Sequence, residues 1–283
     1  MTALRLPLVV VPLTSRLAAL DACLGSLERS LPASARVLIA DSGDADPQAE
    51  ALARRWCVHS RVSASFRSLA AASSPAANLA AAFSESAEDD VIVLQADAVT
   101  TPGWLERLAQ YSRKDARIAT VSAWSNRGEL VAFPRASDDN PVPEFPEAIA
   151  EAAAAAPWNE CPDLPAASGP AILFRREALV QLGGLDALSF EGERVLDDFS
   201  RRAACMGWRN VLCPAAFVLR EAALPAPASG RDDLGQLLAR WPDYQEQVAR
   251  FLLNDPLRLL RERLLARMDE LARGGPQRDL FGA

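Results

Sequence analysis

Two aspartates stand where short apolar runs end. Asp41 follows Val37-Leu38-Ile39-Ala40, and Asp97 follows Val91-Ile92-Val93-Leu94 after Gln95-Ala96. If those runs are strands of one parallel sheet, both carboxylates lie at its carboxyl edge, where open α/β sheets bind ligands. A carboxylate there can accept from a nucleobase N–H, or ligate a divalent cation that bridges phosphates. A lone Asp after a strand more often starts a turn or caps the next helix. Two at strand ends, each followed by small turn residues, shift the balance towards a site. Much other chemistry is excluded. His59 is the only histidine, so there is no HExxH zinc site or His-rich metal cluster, and little room for a Ser-His-Asp triad. It lies beside Cys57, away from the aspartates, and reads as structural. The five cysteines (Cys23, Cys57, Cys161, Cys205, Cys213) are scattered, with no CxxC pair, as suits a reducing compartment. A net charge of −7 argues against a nucleic-acid partner.

The elements that must position these residues follow from periodicity. Leu8-Val9-Val10-Val11 is a β-branched run suited to a strand buried on both faces, and Leu17, Leu20, Leu24 and Leu27 form one stripe of a helix. A strand at 37–40, a helix through Trp56, a weak strand near 58–62, a helix over 76–86 and a strand at 91–94 follow. Strand alternating with helix implies βαβ units on a mostly parallel sheet. Residues 124–170 are rich in proline and show little periodicity. A strand over 169–174, a helix over 175–182 closed by Gly183-Gly184, a helix over 196–206 and a strand at 210–212 complete the α/β part. Two helices are expected beyond it, 231–253 and 256–273, broken at Pro256. No stretch approaches the ~20 apolar residues of a membrane span. Leu6–Leu13 is too short for a signal peptide, holds two prolines and lacks a cleavage pattern. A cytoplasmic location is therefore expected.

Taken in order, VVVPL, LDACLGSL, VLIADSGDAD, NLAAAF, DDVIVLQADAVTTPGWLERL, ATVSAWSNRGELVAFP, GPAILFRREALVQLGGLD and DDFSRRAACMGWRN resemble a family 2 glycosyltransferase of the GT-A fold. The tail RWPDYQEQVARFLLNDPL is similar to the helical end of bacterial surface-polysaccharide members, so the resemblance covers nearly the whole chain. It implies a GT-A nucleotide-sugar-binding and acceptor domain over 1–228, with a C-terminal helical extension over 229–283 packed on or beside it. By this resemblance Pro12 borders the nucleotide pocket, Asp41 reads the base, and Asp97 is the surviving acid of a DxD-type motif. Asp97 would then hold Mn²⁺ or Mg²⁺ against the diphosphate, the cation acting as a Lewis acid. Asn78 belongs to the nucleotide side, although as the start of a helix it can equally be structural. Trp104, Ser125 and Asn126 correspond to the sugar and acceptor side. Core packing is the favoured alternative for Trp104, and turn hydrogen bonding for Ser125-Asn126.

Two departures from the family pattern bear on activity. The acidic stretch holding the general base reads Gly192-Glu193-Arg194-Val195-Leu196-Asp197-Asp198-Phe199, with Val195 and Leu196 at the acid positions. Asp198 matches the family's second acid. Asp197 is one place off, a rotation of about 100° on a helix. Either could be the catalytic carboxylate, and either could be a first-turn acid serving the helix dipole. Glu191 and Glu193 fall in an expected loop, solvated but able to reach an acceptor hydroxyl. The second departure is Arg220, where relatives carry a histidine that ligates metal or diphosphate. Arginine cannot ligate a cation, but it can clamp a diphosphate, so binding either shifts from metal towards Arg220 or is lost, and an ordinary surface arginine is an equal alternative.

The resemblance therefore implies inverting transfer of a sugar from a nucleotide-diphosphate donor to a glycan or lipid-linked acceptor in bacterial surface-glycan assembly. The alternative is a degenerate domain that binds a sugar nucleotide or a partner enzyme without turnover. A nucleotidyltransferase is disfavoured, because no Gly-rich basic loop follows the first strand. The Leu/Arg face at 257–272 leaves open a homo-oligomer contact, a peripheral contact at the inner face of the membrane, or packing on the domain itself.

Overall fold

The computed structural model describes residues 5–43, 45–68, 74–86, 88–137, 140–221 and 232–274. Four β-strands alternate with helices first: β1 (Leu8–Pro12), α1 (Leu17–Ser30), β2 (Arg36–Asp41), α2 (Pro47–His59), β3 (Ser63–Ser68), α3 (Pro75–Glu85) and β4 (Val91–Leu94). Then come β5 (Ala98–Thr100), α4 (Trp104–Tyr111), β6 (Ile118–Trp124), α5 (Pro146–Ala155), β7 (Ala171–Phe174), α6 (Arg176–Leu182), α7 (Arg194–Cys205) and β8 (Arg209–Arg220). Helices α8 (Asp233–Arg240), α9 (Tyr244–Asn254) and α10 (Arg258–Gly274) close the chain.

The strands form one sheet in the order β3-β2-β1-β4-β7-β6-β8-β5. The β3-β2-β1-β4 half is parallel throughout. Beyond it β7 runs antiparallel to both β4 and β6, so the sheet is mixed. β1, β4, β6 and β7 are buried along nearly their whole length, as their apolar runs require. α1 covers the sheet with Leu20, Leu24 and Leu27. Side-chain caps start the next two helices: Asp46 accepts from Gln48 N, and Ser74 from Ala77 N, each before a proline at the first helical position.

Several elements differ from their expected bounds. α2 continues through Val58, which faces solvent at 77% exposure, and the weak strand begins only at Ser63. β3 is an edge strand whose sequence, Ser-Ala-Ser-Phe-Arg-Ser, half-buries only Ala64, Phe66 and Arg67, so its apolar signal is faint. A helix, α5, lies in the proline-rich middle, where its alanines pack without a strong amphipathic stripe. β8 is twelve residues long, and its first half pairs in parallel with β6. After an irregularity its last residues pair antiparallel with β5. The C-terminal region holds three helices, because Trp241-Pro242 ends α8 before Pro256 ends α9. These helices pack back on the α/β layers, α8 against α7 and α10 against α5. The expected boundary at 228/229 lies outside the described residues. Among the described residues no helix is long and apolar enough to cross a membrane.

Candidate active site

The parallel half sets a common edge. Pro12 pairs with Ala40, and Val10 with Val93, so the ends of β2, β1 and β4 stand level. Asp41 and Gln95 are therefore two strand spacings apart, roughly 10 Å, with the end of β1 between them. Asp41 is 4% exposed and firmly held. Its Oδ1 accepts from Gly43 N at 3.0 Å and its Oδ2 from the Ser68 hydroxyl at 2.6 Å, Ser68 being its partner across the β2–β3 register. Asn78 is also buried, and its Nδ2 donates to the Ala40 carbonyl at 2.9 Å while its own oxygens accept from Arg67. Asn78 thus braces the end of β2, with its side chain engaged by protein groups.

The second cluster is built by the turn after β4 and the end of β8. Ala98 is paired with Arg220, so the register itself sets Arg220 beside Asp97. Arg220 Nε donates to Asp97 Oδ2 at 2.6 Å, and Nη2 donates to Gln95 Oε1 at 2.7 Å. The Asp97 side chain is fully buried, and that of Arg220 is 17% exposed. Asn126 fixes the arginine's backbone from both sides: its Oδ1 accepts from Arg220 N at 2.8 Å and its Nδ2 donates to Arg220 O at 3.0 Å. Ser125 and Asn126 are themselves buried, in keeping with the alternative of turn hydrogen bonding. Trp104 takes the core-packing alternative. It is wholly buried at the start of α4, behind Gly103, whose φ of +77° lets the chain turn into the helix.

Glu193 completes the cluster. Gln95 Nε2 donates to its carboxylate at 3.3 Å, and the residue lies within electrostatic reach of Arg220, Asp97 and Asp197. The side chain has protein packed around it yet remains accessible to solvent. Burial raises its pKa, against the opposing pull of Arg220. The residue sits in the turn just before α7, as its N-cap, with helical backbone angles, and its carbonyl accepts from Leu196 N. Positions three apart share a helix face, so Glu193 stands one turn ahead of Leu196.

The two acids nominated on α7 have other partners. Asp198 is fully buried, with Oδ2 accepting from Arg202 Nε at 2.8 Å. Its Oδ1 accepts from Arg240 Nη1 and Trp241 Nε1, both at 3.0 Å. Enclosed and bonded on both oxygens, it cannot receive an acceptor's proton; it ties α8 to α7. Asp197 is 14% exposed, paired with Arg194 at 2.7 Å and hydrogen-bonded by Tyr244. Burial raises its pKa too, with Arg194 opposing. The C-terminal helices also hold the approach to α7, because Asp233 accepts from the backbone N–H groups of Glu191 and Gly192.

The residues at Asp97 do not fit a divalent cation. Its carboxylate already binds a guanidinium, the neighbouring amide oxygen of Gln95 points at the same group, and a cation there would face Arg220. Among the described residues no three His, Cys, Asp or Glu side chains gather to hold a metal. What the cluster offers is a fixed arginine for an anion, with the Glu193 carboxylate beside it. Glu193 was expected only as a loop acid and Gln95 only as a non-acidic position of the motif, and both join this cluster.

With this geometry in hand, comparison with known proteins is informative. The sequence profile described as "Glycosyl transferase family 2" matches residues 8–183. No curated protein matches the chain significantly. Among solved structures, the mannosyltransferase PcManGT from Pyrobaculum calidifontis, in complex with GDP-Man and Mn²⁺, is 18% identical with a TM-score of 0.58. The alignment covers 98% of this chain and 77% of that one. GalNAc-T7 with UDP, GalNAc and Mn²⁺ is 14% identical at a TM-score of 0.61, covering 96% of this chain and 57% of its own. S. aureus TarS 1–349 in complex with UDP-GlcNAc is 14% identical at 0.52, covering 93% and 71%. These are GT-A folds, and the curled mixed sheet with flanking helices is that fold. The chain belongs to glycosyl transferase family 2.

Proposed function

We propose that this protein transfers a sugar from a nucleoside-diphosphate sugar to a hydroxyl acceptor, with inversion, and that Glu193 is the general base. The observation that carries the reading is the Gln95–Asp97–Glu193–Arg220 cluster, level with Asp41 along one sheet edge. The nucleotide base meets Asp41 beside Pro12, and the diphosphate lies towards Arg220. The acceptor oxygen attacks the anomeric carbon as its proton passes to the Glu193 carboxylate. The bond from that carbon to the diphosphate oxygen breaks, its electron pair leaving with the nucleoside diphosphate. Glycan or lipid-linked acceptors of a bacterial surface polymer, met at the inner face of the membrane, fit the similarity of the tail. α10 leaves Leu259 and Leu265 exposed at 64% and 40%, available to a membrane surface or a second copy.

A binding-only protein is the second reading, favoured by Leu196, which is 6% exposed and apolar at the position of the family's base. Donor hydrolysis with UDP- and GDP-linked sugars separates the two. Turnover that falls about 100-fold in Glu193→Gln, at unchanged nucleotide affinity, supports catalysis by Glu193. Nucleotide binding lost in Asp41→Ala, with no turnover in wild type, would leave binding alone.

A further inference from the structure

We infer that Arg220 stands in the place of the divalent cation, so that this protein holds a nucleoside diphosphate against a guanidinium and needs no metal to do so. The inference rests on the nucleotide-sugar reading above and deepens it by assigning the group that receives the phosphates. Asp97, the one acid of the motif, meets Arg220 Nε at 2.6 Å, and Gln95 meets Nη2 at 2.7 Å. These bonds occupy two N–H groups of the fork and orient the rest, which remain for a ligand. Phosphate oxygens suit that planar donor set, since arginine recognises them bidentately.

The arginine has little freedom to swing aside and admit a cation. Its backbone is held in the β5–β8 ladder opposite Ala98 and clasped twice by Asn126. A divalent ion at Asp97 would have to separate a buried ion pair and then sit against a fixed positive charge. The 17% of the Arg220 side chain left exposed is what a diphosphate would cover. A guanidinium brings one charge where a metal brings two, and Asp97 offsets part of it. The site is therefore expected to hold the diphosphate less tightly than a metal site would.

The test is titration calorimetry of the full chain with UDP, GDP and inorganic pyrophosphate, each in EDTA and in Mn²⁺. Alongside it, Mn²⁺ binding is read directly by electron paramagnetic resonance. The expected result is an affinity that changes less than about threefold between EDTA and Mn²⁺, and falls at least about tenfold in Arg220→Lys, which keeps the charge and loses the fork. Because removing Arg220 alone strands a buried carboxylate, the Asp97→Asn/Arg220→Gln double variant, checked for its melting transition, provides a neutral pair. It should lose diphosphate binding in EDTA. Arg220→His should gain Mn²⁺ binding that wild type lacks. Nucleotide binding that appears only with Mn²⁺, or wild-type Mn²⁺ binding lost in Asp97→Asn, overturns the inference while the nucleotide reading stands. Failure of both nucleotides with pyrophosphate still bound through Arg220 sinks the nucleotide reading alone. Failure of all three probes sinks both.

Discussion

Asp198→Ala should loosen the link between α7 and α8 without touching the chemistry, and the cost can be worked from its partners. The carboxylate is 0% exposed and accepts from Arg202, Arg240 and Trp241. Removing one side of a buried charged network typically costs about 3–5 kcal/mol. Both arginines keep other acceptors here. Arg202 bonds the carbonyls of Leu182 and Gly184, and Arg240 bonds Asp186 and Ser189. The Trp241 indole N–H, by contrast, loses the acceptor it has in Asp198. The lower end therefore applies, about 3 kcal/mol, or a melting temperature lower by roughly 5 °C for a chain of this size. Asp198→Asn should cost nearly as much, because whichever way the amide turns, its NH₂ faces an arginine. Urea denaturation followed by tryptophan fluorescence measures the loss, and nucleotide affinity of the folded variant should stay within about threefold. An Asp198→Asn protein as stable as wild type, yet slowed about 100-fold in turnover, would refute this assignment and return Asp198 to the candidate bases.

Glu193 should show its raised pKa twice. Donor turnover should rise with pH through a window above the usual glutamate range, because only the ionised form accepts a proton. A carboxylate raised on folding contributes stability below its unfolded value and loses it as pH rises through the folded one. Thermal melts across pH should therefore find Glu193→Gln gaining on wild type at neutral pH and not in acid, and a parallel pair of curves would contradict the shift. Trp104→Leu should cost about 2–4 kcal/mol in chemical denaturation while leaving donor KM unchanged. A KM effect with intact stability would put Trp104 back on the sugar side. Among the cysteines, a maleimide should label exposed Cys205 first under native conditions. Buried Cys213, its thiol pushed up to about 12 by desolvation, and Cys23 should react only on unfolding, which mass spectrometry of labelled peptides will show.

Residue order alone carried the βαβ half of this molecule. Strands such as Leu8–Pro12 and Val91–Leu94 lie between two neighbours in the sheet and are buried along nearly their whole length, so their continuous apolar runs are visible without any knowledge of those neighbours. The same order located Asp41 and Asp97, because a carboxylate at the end of such a run can lie only at the sheet's edge. Edge strand β3 and helix α5 were faint, since their burial is partial or rests on small alanines rather than on a stripe. What the tertiary structure decided was the identity of each acid's partner. Asp198 and Glu193 are alike as sequence symbols. One is sealed beneath Arg240 and Trp241, residues some forty positions away, while the other stays accessible to solvent beside Gln95. Arg220 meets Asp97 across more than a hundred residues, because β8 continues past its irregularity to pair with β5. Periodicity reports only how a segment meets solvent or core; which charges meet depends on register between distant strands, and that is set when the sheet closes.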